Sequence, residues 1–197
     1  MDCVEMLKNF LIVSALMNRA KMNWLIRPAS SEDASAIRDL LTKSYQNLLQ
    51  PDYGDDVLTK ALPLITEARE DLLTCGTWYV AQHPDTNQIV GCGGWTRLSP
   101  MSNVGTPDEE GMPHLRHFAC DPEWTRTGIA SAIWQRSIRD MANSYGKVPS
   151  LEVFSTLTAI PFYQSLGFEK VNPVNIPLNQ GACMFPAMLM NRGSGSK

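Results

Sequence analysis

The spacing of apolar residues divides the chain into elements. Ile37, Leu40, Leu41, Tyr45 and Leu48 recur three or four residues apart, which predicts an amphipathic helix, with Ser30 and Ser31 placed to cap it and Glu32-Asp33 in its first turn. A second helical region runs from Val57 to Leu73, where Pro63 predicts a break into two short helices and Gly76 a stop. Ile129, Ala130, Ile133, Trp134, Ile138 and Met141 predict a longer helix, and a shorter one follows from Ala159. Extended runs lie between. Trp24–Ala29 is ended by Pro28, and Thr77–Gln82 and Gln88–Arg97 form an antiparallel pair across the turn-rich His83–Asn87. His114–Cys120 is closed by Asp121-Pro122, and further strands start at Leu151, at Phe168 and near Cys183. Gly91, Gly93 and Gly94 predict a bulge or a close backbone approach inside their strand. The order β-α-α-β-β-β-α-β-α-β-β describes an α/β (α+β) domain, a mixed sheet flanked by helices.

A chain of 197 residues fits one such domain. Its expected limits are 23–192, after an N-terminal extension over 1–22 and before a flexible tail over 193–197. The apolar run Phe10–Met17 has the length of a secretory segment, but Asp2 and Glu5 leave it no positive leader, and it is too short to span a membrane. Translation starting at Met17 or Met22 is an equal reading. Ser99–Met112, rich in Gly, Pro, Ser and acids, reads as a loop. A net charge of −3 without a basic block argues against nucleic acid as a partner. Five cysteines without paired or metal-type spacing read as reduced thiols in a cytoplasmic protein, with no metal site.

The chemistry concentrates at His114–Ser131. A strand there runs through a loop of small residues into a helix start, where unpaired first-turn N–H groups and the positive helix end face an anion. Gly128 lets a phosphate approach the backbone, Ala130 and Ser131 add little bulk, and Arg126 brings a positive charge. The Walker order Gly-Lys-Ser/Thr and the three-glycine dinucleotide fingerprint are both missing. Phe118-Ala119-Cys120-Asp121-Pro122-Glu123-Trp124-Thr125-Arg126-Thr127-Gly128-Ile129-Ala130 instead resembles motif A of the GCN5-related N-acetyltransferases. Thr125 stands where that family has Gln or Arg, with Arg126 displaced by one. Leu151–Phe168 resembles motif B of the same family: Ala159, Phe162-Tyr163 and Gly167-Phe168 keep its spacing, and Thr156 replaces the common Asn. The resemblance covers about 24–192.

The resemblance implies an acetyl-CoA-dependent N-acetyltransferase of mostly antiparallel mixed sheet, acting by direct attack of a primary amine of a small molecule or peptide in a ternary complex. It assigns coenzyme A contacts to Phe118, Ala119, Cys120, Arg126, Thr127, Gly128, Ile129, Ala130, Ser131, Thr156 and Phe162, with the backbone of Phe118 and Cys120 pairing with the pantetheine. Tyr163 then donates a proton to the departing thiolate. His114 stands where family members place a base, in competition with His117, Glu152, the acids Asp108-Glu109-Glu110 and a water relay. Strand alternation puts His114 with Arg116, Phe118 and Cys120, and His117 on the opposite face. Cys120 reads as a buried thiol rather than a nucleophile. The aromatics Trp78-Tyr79 and Trp95 suit an acceptor pocket or sheet packing equally, and Asp108-Glu109-Glu110 suits a cationic acceptor or a solvated loop. The rival readings are a longer acyl group and a silent acyl-CoA-binding module. Homodimerisation is common in the family, and no motif here decides it.

Overall fold

The computed structural model describes Glu5 and residues 22–97 and 112–195, so the expected N-terminal extension, the 99–112 loop and its acidic run lie almost entirely outside the described residues. Seven strands form one sheet in the order β1-β2-β3-β4-β5-β7-β6. They are β1 (Leu25–Pro28), β2 (Trp78–Gln82), β3 (Ile89–Thr96), β4 (His114–Cys120), β5 (Leu151–Ser155), β6 (Glu169–Leu178) and β7 (Cys183–Arg192). Within residues 22–97 and 112–195 five α-helices accompany them: α1 (Ala34–Leu48), α2 (Asp55–Ile65), α3 (Glu70–Leu73), α4 (Ile129–Tyr145) and α5 (Ile160–Ser165). All neighbouring strands are antiparallel except β4 and β5. No helix among the described residues is long and apolar enough to cross a membrane.

Each face of the sheet has its own core. Ile37, Leu40, Leu41 and Tyr45 of α1 pack with Leu58, Leu72, Trp78, Val80 and Cys92 on one side. On the other, Ile129, Ile133 and Met141 of α4 pack with Tyr79, Val90, Trp95, Leu115 and Val153. The period-two strands and the 3.6-residue helices thus meet on the faces their patterns require. Trp78, Tyr79 and Trp95 are fully buried, which assigns these aromatics to sheet packing.

Three local features differ from expectation. The region 57–73 does divide into two helices, but Pro63 lies inside α2, which continues to Ile65. A proline in the last turn forfeits one intrahelical bond and leaves few residues for its ring to disturb, so the helix ends shortly after it rather than at it. The expected glycine bulge has its extra residue on β4: Gly94 pairs with Arg116 and Cys92 with Ala119, with His117 left-handed at φ 44°. As a result alternation slips by one along β4. Phe118 and Cys120 join Leu115 in the α4-side core while Ala119 joins the α1-side core, so His114 and Arg116 do not share a face with Phe118 and Cys120. The glycines themselves permit close approach. A Cβ at Gly91 would collide with Ile129 Cγ2, one at Gly94 with Thr77 O, and one at Gly93 would meet the Phe118 ring at 2.8 Å.

Candidate active site

Strand β4 separates from β5 almost as soon as they meet. His114–Glu152 is the one register pair between them among the described residues, supported by Glu152 N donating to Pro113 O at 3.1 Å. Beyond it β5 stays with β7 from Leu151↔Arg192 to Ser155↔Met188. On its other edge β4 stays with β3, where Asp121 N donates to Val90 O at 2.8 Å. Strand N–H groups alternate in direction, so those of Cys120 and Phe118 point away from β3, toward the opening.

At the C-terminal end of β4, Asp121 caps a 3-10 turn (Pro122–Trp124) by accepting the Glu123 N–H at 3.0 Å, and Lys43 Nζ holds its other oxygen at 2.9 Å. The loop is braced twice more. Thr127 Oγ1 donates to Trp124 O at 2.6 Å, and Trp24 Nε1 donates to Thr127 O at 3.0 Å. Arg126 and Gly128 are both left-handed, at φ 63° and 88°. Gly128 is the N-cap of α4, and no side chain caps it. The first intrahelical bond is Ala132 N to Gly128 O at 2.8 Å, which leaves the N–H groups of Ile129, Ala130 and Ser131 without intrahelical acceptors. The loop therefore offers what a pyrophosphate needs: first-turn N–H groups, the positive end of a 17-residue helix, the exposed Arg126 and open space over Gly128. Cys120 is a poor nucleophile, because burial pushes its thiol up to about 11.

Within the opening lies a cavity of about 480 Å³. Phe118 of β4, Phe154 of β5, Thr156, Ala159 and Tyr163 line it together with Tyr45, Ile65, Arg69, Ile176 and Phe185. Tyr163 is 4 % exposed, and Phe118, Phe162 and Phe168 meet its ring edge-on at 6.2, 5.2 and 5.6 Å. Its hydroxyl makes no hydrogen bond among the described residues, and burial raises its pKa, so it remains a protonated phenol. Thr156 Oγ1 accepts the Ala159 N–H at 3.3 Å, the bond an Asn would make at the same helix start. Tyr53 fixes this turn from outside. Its hydroxyl accepts the Leu157 N–H at 2.8 Å and donates to Pro186 O at 2.9 Å.

His114 is placed apart from Tyr163. It is 4 % exposed at the β4–β5 bridge, with Nδ1 3.1 Å from Glu152 Oε1, and it does not line the cavity. His117 does line it, and desolvation together with the positive Arg116 and Arg69 lowers its pKa to about 4. Tyr45, Arg69 and Arg116 are cavity residues that the motifs did not single out. Only the unusual placement of Arg116 in an apolar strand hinted at one of them. Among the described residues no group of three His, Cys, Asp or Glu side chains is arranged to hold a metal ion.

The model of the acetyltransferase (GNAT) domain family matches residues 51–186. The chain belongs to that family and is an acyl-CoA-dependent acetyltransferase. Solved structures of the same fold include a GCN5-related N-acetyltransferase from Rhodopseudomonas palustris, with a TM-score of 0.68 and 15% identity over 87% of this chain and 97% of that one. The PaiA N-acetyltransferase of Thermoplasma acidophilum, solved with coenzyme A, follows with a TM-score of 0.61 and 12% identity over 87% and 99%. The ribosomal-protein-S18-alanine N-acetyltransferase of Escherichia coli aligns with a TM-score of 0.54 and 16% identity over 89% and 96%. No curated protein matches the sequence.

Proposed function

We propose that the protein transfers the acetyl group of acetyl-CoA to a primary amine of a small molecule or peptide, by direct attack with both substrates bound. The observation that carries this reading is the opening between β4 and β5, with a helix start that no side chain caps at one end and, in its wall, the Tyr163 hydroxyl without a hydrogen-bond partner among the described residues. The pyrophosphate would sit on the α4 N-terminus beside Arg126, and the pantetheine would pair with the free N–H groups of Phe118 and Cys120. One of these N–H groups then polarises the thioester carbonyl.

The neutral amine attacks that carbonyl carbon. A C–N bond forms, the C–S bond breaks, and the departing thiolate takes the Tyr163 proton; the phenolate is reprotonated from solvent. Burial raises the Tyr163 pKa, and the same desolvation would raise that of a thiol bound beside it in the apolar opening. With His114 sealed against Glu152, the ammonium proton leaves through water. The test is free-thiol release from acetyl-CoA with a panel of primary amines, with the N-acetyl product identified by mass. Binding of acetyl-CoA without turnover across the panel would instead favour a silent binding module, and faster turnover with a longer acyl-CoA would favour another acyl group.

A further inference from the structure

Among the described residues both formal charges on the cavity wall are guanidinium groups, Arg69 and Arg116, and no Asp or Glu lines it. Arg69 is already matched, since it holds Asp71 with Nε–Oδ1 at 2.9 Å and Nη2–Oδ2 at 2.8 Å. Arg116 is not. It is 6 % exposed, yet its guanidinium makes one hydrogen bond among the described residues, Nη1 to Thr96 Oγ1 at 3.2 Å, and no carboxylate there pairs with it. A guanidinium carries five N–H donors, so most of this one's have no partner among the described residues. Arg116 lines the cavity, and none of its nitrogens is among the described side-chain atoms sealed from solvent without a partner.

Desolvation pulls Arg116 down to about 10, with Arg69 acting in the same direction and Asp71, already bonded to Arg69, opposing it less. His117, its neighbour in the strand, is neutral above about pH 4 and adds no competing charge. A buried cation without a counter-ion is unfavourable, and a bound anion would relieve it. The uncompensated charge is a single one, which matches a monoanion, and the planar fork of the guanidinium matches a carboxylate.

We infer that the acceptor is a primary amine that also bears a carboxylate, with the carboxylate held by the free donors of Arg116 and the amine directed at the thioester. This inference rests on the reading of the chain as an amine acetyltransferase. It makes Arg116 a determinant of acceptor specificity, and the acceptor class becomes amino acids and other amino carboxylates.

The experiment compares thiol release from acetyl-CoA with matched triplets: an amino acid, its carboxamide and its decarboxylated amine, with phosphoethanolamine alongside. The expected result is at least one amino acid exceeding its carboxamide in kcat/KM by about tenfold or more, since the amide leaves the buried cation unmatched. Arg116→Gln should bring that ratio toward one, chiefly through KM, and Arg116→Lys should give an intermediate ratio. If the Gln variant does not fold, the wild-type ratio and the Lys variant decide. A second arm needs no turnover: calorimetry with coenzyme A present should find N-acetyl amino acids binding more tightly than their carboxamides. Equal or better turnover of carboxamides and decarboxylated amines overturns the inference and leaves amine acetylation standing, as does a preference for phosphoethanolamine. Failure of every amine to release thiol overturns the acetylation reading instead, and equal binding of N-acetyl carboxylates and carboxamides then removes this inference as well.

Discussion

The two ends of the β4–β5 opening offer their proposed ligands different kinds of surface. At the α4 end the proposed cofactor grip is exposed and made largely of backbone. Gly128 has free space where a side chain would start, Arg126 stands in solvent, and the N–H groups belong to a helix anchored beneath by Ile129 and Ile133. At the cavity end the groups proposed to recognise the acceptor are side chains withdrawn from water. Tyr163 and Arg116 are nearly inaccessible, and burial shifts the ionisation of Tyr163, Arg116 and His117. A pyrophosphate is the same in every acyl-CoA, so a rigid backbone cradle serves it without tuning. An acceptor must be told from other amines, and a desolvated charge or phenol discriminates strongly because a mismatch leaves it without a partner.

Breaking the backbone end should have the largest effect. Gly128→Trp places bulk where the phosphates approach and a side chain at a left-handed φ, so acetyl-CoA binding should disappear in calorimetry while circular dichroism stays native. Unchanged affinity in a folded variant would remove the loop from the cofactor site. Tyr163→Phe keeps the three ring contacts and removes only the acidic hydrogen. Turnover should fall ~10²–10⁴-fold with acetyl-CoA affinity retained, if the proton transfer is rate-limiting. A Phe variant within a few-fold of wild type would reduce Tyr163 to packing.

Arg126→Ala should weaken acetyl-CoA binding by about 1.5–3 kcal/mol, the worth of one charge-assisted contact. Because Arg126 is exposed, that loss should shrink as ionic strength rises, whereas the amino acid preference set by buried Arg116 should not. The smallest effect concerns pH and stability. His117 binds its proton near pH 6.5 when unfolded and only near pH 4 when folded, so between these values the unfolded chain holds more protons. Stability present above pH 6.5 is therefore lost progressively as pH falls toward 4. His117→Asn should flatten that part of the pH dependence of the thermal midpoint, and an identical slope in the variant would place the titration elsewhere.

Much of the architecture could be read before folding. The repeat of Ile37, Leu40, Leu41 and Tyr45 and that of Ile129, Ile133 and Met141 fixed two helices and their buried faces, because helical periodicity depends only on neighbours along the chain. The Asp121-Pro122 stop and Gly128 likewise marked the strand end and the helix start. The spacing of Ala159, Phe162-Tyr163 and Gly167-Phe168 marked the short helix that carries the proposed acid.

Contacts between distant segments decided the rest. One extra residue at His117 reversed the alternation of β4, because a bulge is set by pairing with Cys92 and Gly94, residues more than twenty positions away. The same shift separates Arg116 from the face of Phe118 and Cys120. His114 lies outside the cavity lining, at the one β4–β5 register pair among the described residues, and a pairing between strands divided by a helix leaves no local trace. Sequence alone therefore determined the elements, the loop proposed to hold the cofactor, and the family. Tertiary structure decided which side chains face the cavity and which lose their water there, since burial and charge belong to surroundings assembled from the whole chain.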